Sequence, residues 1–257
     1  MRLSRFLAPF ALIALVSAAS VTSAPTAQAQ AAPNTQLPSV AQAVQNVQNF
    51  YNKSQTFKSD FHQQYLAKAY NQTKDSTGHV EFSKPGKMNW VYDNPKGNRV
   101  VSNGTTLWAY VAANQQVATQ NVKQSALPSA LSFLTGQGNL NTDFDFQIFP
   151  GTTMNFPGGY VLVGTPKIPN PTMVKMLLYV DTDTSQVRRG MVIDGQGNRN
   201  RFDFINPQVN VPVPAESFTF VAPPGTTTVS APVAVTGGAP TSTPASAGGT
   251  APNGVQP

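Results

Sequence analysis

Apolar side chains recur along this chain with two periods, and the point where one gives way to the other decides how the fold is read. Val40, Val44, Val47 and Tyr51 lie three or four residues apart behind Ser39. That spacing lines one face of a helix, and serine is a favoured N-cap. It predicts one amphipathic helix of about fifteen residues, whose apolar stripe needs a surface to cover. From Phe57 the period is two. Phe57, Phe61 and Tyr65 share a face with Ser59 and Gln63, while Lys58, Asp60, His62 and Gln64 share the other, as in a half-exposed strand.

Further strands are predicted at 79–82, 88–92, 99–102, 106–111 and 116–120. Between them stand Lys84-Pro85-Gly86, Asn94-Pro95-Lys96-Gly97 and Asn103-Gly104, the last read as a two-residue hairpin turn. A short apolar helix is expected over 128–135, with Leu131 and Leu134 three apart and Gly136 ending it in the left-handed conformation. Strands then resume at 144–149, 160–165, 174–181, 187–194, 200–205 and 217–221. About eleven strands joined by short turns, with two helices, predict a mainly β (α+β) domain. Its form would be one large curved antiparallel sheet with helices over the concave face.

Composition divides the 257 residues into zones. Residues 1–29 read as a secretory signal: Arg2 and Arg5 are the basic start, 6–16 is an apolar run, and Ala27-Gln28-Ala29 is a cleavage site used after Ala29. The run is shorter than the ~20 residues a bilayer span needs. Residues 30–38 form a polar lead-in, and 39–229 carry nearly all the aromatic side chains. Residues 230–257 contain only Ala, Gly, Pro, Ser, Thr, Val, Asn and Gln, so they are expected to stay unfolded. With no cysteine, neither a disulfide framework nor a lipidated cysteine is possible. Of the formal charge of +6, Arg2 and Arg5 account for two, leaving +4. The densest basic spots, Arg188-Arg189 and Arg199/Arg201, form no stripe, and no nucleic-acid partner is expected.

Six ordered blocks resemble one family. They are Asn49-Phe50-Tyr51-Asn52-Lys53 with Thr56 to Gln63; Gly78-His79-Val80-Glu81-Phe82; Lys84-Pro85-Gly86-Lys87-Met88-Asn89-Trp90-Val91-Tyr92; Val101 to Tyr110 followed by Asn114-Gln115-Gln116-Val117; Phe133-Leu134-Thr135-Gly136; and Phe218 to Thr226. Together they are similar to the outer-membrane lipoprotein carrier family, LolA, over roughly residues 40–229. The resemblance implies an incomplete antiparallel β-barrel with a lid of short helices over an apolar cavity. It also implies a monomeric periplasmic carrier. Such a carrier would take lipoprotein acyl chains from an inner-membrane ATP-driven releasing complex and deliver them to an outer-membrane acceptor.

Carried over by position, the resemblance assigns the lid-controlling basic residue, usually an arginine before proline, to Lys84. A lysine offers a point charge where arginine offers a planar fork, so the latch here is expected to be weaker or to use Lys87. Met88 takes the position associated with partner docking and cargo retention, and Trp90 follows on the same face. Val100 takes another wall position, and Phe61 lies on the neighbouring strand. With Leu131 and Leu134 from the short helix, these make the expected lipid-binding set. Phe57, Trp108 and Tyr110 are further candidates, each also readable as ordinary core.

Catalytic chemistry finds little footing. His62 and His79 stand beside no acid at ligand or triad spacing, and no nucleophile elbow, phosphate loop or zinc motif occurs. Asp181 and Asp183 lack the glycine and terminal glutamate of a calcium loop and read as a hairpin turn. No enzyme activity, cofactor or metal is expected. Two other readings stay open: a lipid- or lipoprotein-sensing periplasmic module of the same open-barrel fold, and a hydrolase of envelope lipids.

Overall fold

The computed structural model describes residues 37–122, 133–136 and 138–229. The expected signal segment, residues 30–36 of the lead-in, Leu131 and the tail from residue 230 lie outside the described residues. Helix α1 (Val40–Lys53) begins as expected, with the Ser39 hydroxyl accepting a hydrogen bond from the Gln42 amide at 3.2 Å. Its buried face carries Ala43, Val44, Val47, Gln48 and Tyr51.

The strands are β1 (Thr56–Ala67), β2 (Gln72–Ser83), β3 (Lys87–Asn94), β4 (Arg99–Asn103), β5 (Thr106–Val111) and β6 (Gln116–Asn121), followed after a short helix α2 (Leu140–Asp143) by β7 (Phe144–Pro150), β8 (Gly159–Pro166), β9 (Lys175–Asp181), β10 (Val187–Ile193), β11 (Arg199–Val209) and β12 (Thr227–Val229). They form one open sheet in the order β12-β6-β5-β4-β3-β2-β1-β11-β10-β9-β8-β7. Every pairing is antiparallel except β12 on β6. The sheet bends enough that inward side chains from both halves join α1 in one apolar cluster. Among the described residues no helix is long and apolar enough to cross a membrane.

Three departures from the sequence reading have physical causes. Strand β2 starts at Gln72, seven residues before the expected strand, because residues 72–78 pair with β1 throughout although they lack apolar alternation; pairing overrides propensity here. In the β4–β5 hairpin the strands end at Asn103 and resume at Thr106, so Gly104-Thr105 makes the turn rather than Asn103-Gly104. Asn103 caps it instead, its side-chain oxygen accepting from the amides of Thr105 and Thr106 at 2.9 Å each.

The strand expected at 217–221 does not form. Residues Ala215–Phe218 make a 3₁₀ turn, and the last strand comes later, at Thr227–Val229. Prolines at 212, 214, 223 and 224 lack ladder donors, and the aromatic side chains anchor the segment on the outer face of the sheet instead. Phe218 is buried and Phe220 lies 6.3 Å from the Trp108 ring and 5.9 Å from that of Tyr110.

Candidate functional site: an apolar wall beneath a latched helical cover

Strand alternation and register place the expected wall residues together. Phe61 stands opposite Gly78 on β2 and Phe204 on β11; Trp90 stands opposite Val80 and Val100; Met88 stands opposite Phe82 and Ser102. At Gly78 a Cβ would meet the Val91 carbonyl oxygen at 2.0 Å and the Phe61 ring at 2.9 Å, so only a bare backbone leaves room for that ring. Phe61 then sits edge-on to Trp90 at 5.0 Å and to Tyr92 at 5.3 Å, and Trp90 touches Phe202 at 5.0 Å. Phe57 continues the wall against Phe82 at 5.5 Å and Phe204 at 5.3 Å. At one end the wall becomes polar: the Tyr92 hydroxyl donates to Gln63 at 3.1 Å, and the Gln63 amide donates to Asn200 at 2.9 Å. Burial pushes the Tyr92 phenol up from its ordinary value, so it stays neutral.

Helical pieces cover this wall. The buried face of α1 belongs to the same cluster as Leu134 and Leu140. The described part of the second predicted helix, Phe133–Thr135, is a single 3₁₀ turn. It is followed by Gly136 with φ +76°, the left-handed conformation expected there. Gln48, on the α1 face between Val44 and Tyr51, joins the pieces by accepting from the Leu140 amide at 2.8 Å.

Lys84 sits where the pieces meet. Its ammonium donates to the Tyr51 carbonyl at the C-terminal end of α1, and its own amide donates to the Gln55 carbonyl at 3.0 Å. A cation at that end also meets the negative pole of the helix. Gly136 rests on the Lys84 stem, since a Cβ there would lie 2.9 Å from Cδ. One residue past Pro85, the Gly86 amide donates to the Thr135 carbonyl at 3.1 Å. The β2–β3 turn therefore grips both the helix and the 3₁₀ turn. Burial lowers the Lys84 ammonium below its ordinary 10.5. Lys87 is elsewhere: its ammonium lies 6.0 Å from the Phe218 ring, under the outer-face segment.

Phe61, Met88, Trp90, Val100 and Leu134 thus lie in one cluster, with Lys84 on its rim. Leu131 is outside the described residues. Met88, to which the resemblance assigns partner docking, is only 7% exposed and sits within the inner cluster. Trp108 and Tyr110 are not wall residues; they face outward beneath Phe220. The sequence reading missed Gln48, whose helical spacing with Val44 and Tyr51 is visible in the chain, and the second role of Tyr51. Its hydroxyl accepts from the Val187 amide at 3.1 Å. Burial, outweighing that bond and the Arg188 charge, pushes its phenol up from its ordinary value. His62, isolated in sequence, lies 2.9 Å from Asp75 and 3.9 Å from Asp203 because β2 and β11 flank β1.

The arrangement is suited to exchange of apolar surface. Fully burying a valine-sized side chain is worth about 1.5–3 kcal/mol, so Val44, Val47 and the other buried residues of α1 hold the cover with several kcal/mol. An acyl chain of about sixteen carbons, at about 0.8 kcal/mol per methylene, carries more than 10 kcal/mol of the same driving force. The two quantities are of comparable size, so the inner wall could be satisfied by either surface.

The chain matches the family model described as "Outer membrane lipoprotein carrier protein LolA" over residues 52–221. Relatives named outer-membrane lipoprotein carrier protein include one from Nitrosomonas europaea, 31% identical over 43% of this chain and 54% of its own length. Another, from Nitrosospira multiformis, is 25% identical over 74% of this chain and 89% of its own. Among solved structures, a LolA superfamily protein from Nitrosomonas europaea aligns with TM-score 0.40 and 12% identity over 72% of this chain and 99% of its own.

Proposed function

The chain belongs to the outer-membrane lipoprotein carrier family LolA, and from that premise we propose that it is a periplasmic carrier holding the acyl chains of lipoproteins against its inner wall. It is a binding protein, not an enzyme. Cargo comes from an inner-membrane ATP-driven releasing complex and passes to an outer-membrane acceptor. The observation that supports this reading is a continuous apolar wall under helical segments, with the Lys84 turn bonded to the end of each. In this reading the described arrangement is the closed, empty form. Opening replaces the helical stripe with acyl chains, and closure returns the stripe to the wall and expels them, which is population shift between two states of one surface.

The test is a release assay. Inner-membrane vesicles carrying a labelled lipoprotein and an active ATP-driven complex are incubated with the purified protein, then pelleted. The expected outcome is a soluble one-to-one complex that outer-membrane acceptor empties; lipoprotein that remains in the pellet overturns the reading. Lys84→Ala sharpens it. Loss of a charged hydrogen bond worth about 1.5 kcal/mol should favour the open, loaded state and slow delivery roughly tenfold while uptake persists.

A further inference from the structure

The face of the sheet turned away from the lid carries a second concavity, of about 290 Å³, between the outward positions of β1 and β2 on one side and β10 and β11 on the other. We propose that it is a binding site for a phosphate-bearing amphiphile. The charge comes from Arg189, Arg199 and Arg201, which line it together. Asp203 is shared by two of them: it takes the Nε of Arg189 and lies 2.8 Å from the Nε of Arg201. Among the described residues no hydrogen bond reaches the terminal nitrogens of either guanidinium, and the Arg199 side chain makes neither a hydrogen bond nor an ion pair. Three cations stand against two carboxylates, Asp203 and the Asp75 that Gln64 meets at 3.1 Å, and leave one positive charge uncompensated, which favours a phosphate anion. Guanidinium forks suit its oxygens.

The floor adds the second half of the ligand. Met154, Met191 and Tyr179 line the same concavity and belong to an apolar patch with Val161 and Leu177 that is separate from the main core. The Arg189 guanidinium lies 5.0 Å from the Tyr179 ring centroid, which orients it between anion and floor. An inorganic anion would use only the rim, whereas a phosphate on a short apolar body uses both. The volume is at the small end of small-ligand sites. A protein partner would need about 800 Å² of surface, so a single headgroup is the fitting occupant. The phosphate could be that of a lipid headgroup or of a free phosphorylated molecule.

Methyl NMR of methionine-labelled full-length protein separates these cases, because Met154 and Met191 report on the outer concavity and Met88 on the inner wall. Hexyl phosphate should shift the Met154 and Met191 methyls saturably, at least tenfold more tightly than inorganic phosphate, and hexanol should not shift them. Arg199→Gln, at a side chain without structural partners, should weaken hexyl phosphate roughly tenfold with the melting temperature unchanged. Co-sedimentation with phosphatidic acid vesicles but not phosphatidylcholine vesicles assigns the site to a lipid headgroup; hexyl phosphate binding without sedimentation assigns it to a free phosphorylated amphiphile. Inorganic phosphate binding as tightly as hexyl phosphate, indifference to Arg199→Gln, or no shift at Met154 and Met191 overturns the proposal. Shifts confined to Met88 also overturn it while leaving the acyl-carrier reading intact.

Discussion

Both faces of this sheet are covered by chain that is not part of it, and the two covers are fastened in opposite ways. On the inner face the contact is almost wholly apolar, with few directional bonds: Lys84 and Gly86 at the turn, Leu140 to Gln48, and Val187 to Tyr51. On the outer face residues 215–220 are held by a polar relay under the aromatics. Arg99 donates to the Ser217 carbonyl and to Asn89, each at 2.9 Å; Asn89 donates to Glu81 at 3.3 Å; and Lys58 pairs with Glu81 at 3.4 Å. An apolar contact is non-directional and accepts a substitute of similar surface. A buried polar relay accepts none without leaving a partner unsatisfied. The inner cover is held by contact that another apolar surface could substitute, the outer one by bonds that it could not.

That contrast can be broken in order of effect. Phe218→Ala, which empties a buried site in the outer cover, should cost about 3–5 kcal/mol in urea denaturation. The folded fraction should still take up lipoprotein at wild-type stoichiometry; a loss of uptake per folded molecule would mean the faces are coupled. Gly136→Ala places a Cβ at positive φ against the Lys84 stem. It should weaken closure by about 1–2 kcal/mol and raise binding of an apolar dye, with global unfolding little changed. The smallest effect is with pH. Burial tends to raise the Glu81 carboxyl, but hydrogen bonds with Ser217 and Asn89 and the Lys58 charge outweigh it and hold the group below its ordinary 4.5. A carboxylate with a depressed native pKa contributes stability above its unfolded value and loses it as pH falls through the native one. Hydrogen exchange at residues 217–219 should therefore accelerate below about pH 4.5, while exchange at Gly86 should not.

The legibility of the molecule follows the same division. Helix α1 and most strands could be read because their burial is one-sided and periodic, and Phe61, Met88, Trp90 and Val100 fell on one wall because alternation fixes a face. Periodicity says nothing about which segment lies over an outer face. Trp108 and Tyr110 therefore read as inner candidates, and residues 217–221, which alternate Phe218 and Phe220, read as a strand. The Lys84 latch came from resemblance and not from spacing, since a lysine before proline in a turn has no periodic signature. Contacts that join distant strands, such as His62 with Asp203 and the arginines of β10 and β11 around one concavity, need the register and were invisible in the chain.

Tyr51 ties these observations to motion. Its hydroxyl is bonded to the start of β10 and its carbonyl to the turn between β2 and β3, which stand on opposite sides of the central strands β1 and β11. A single residue thus ties the two flanks of the sheet together across its inner face, like a tie-rod. Separating the two flanks by more than a hydrogen-bond length would break one of those bonds, so the spacing of the flanks and the fastening of the first helix are coupled through one side chain and one carbonyl.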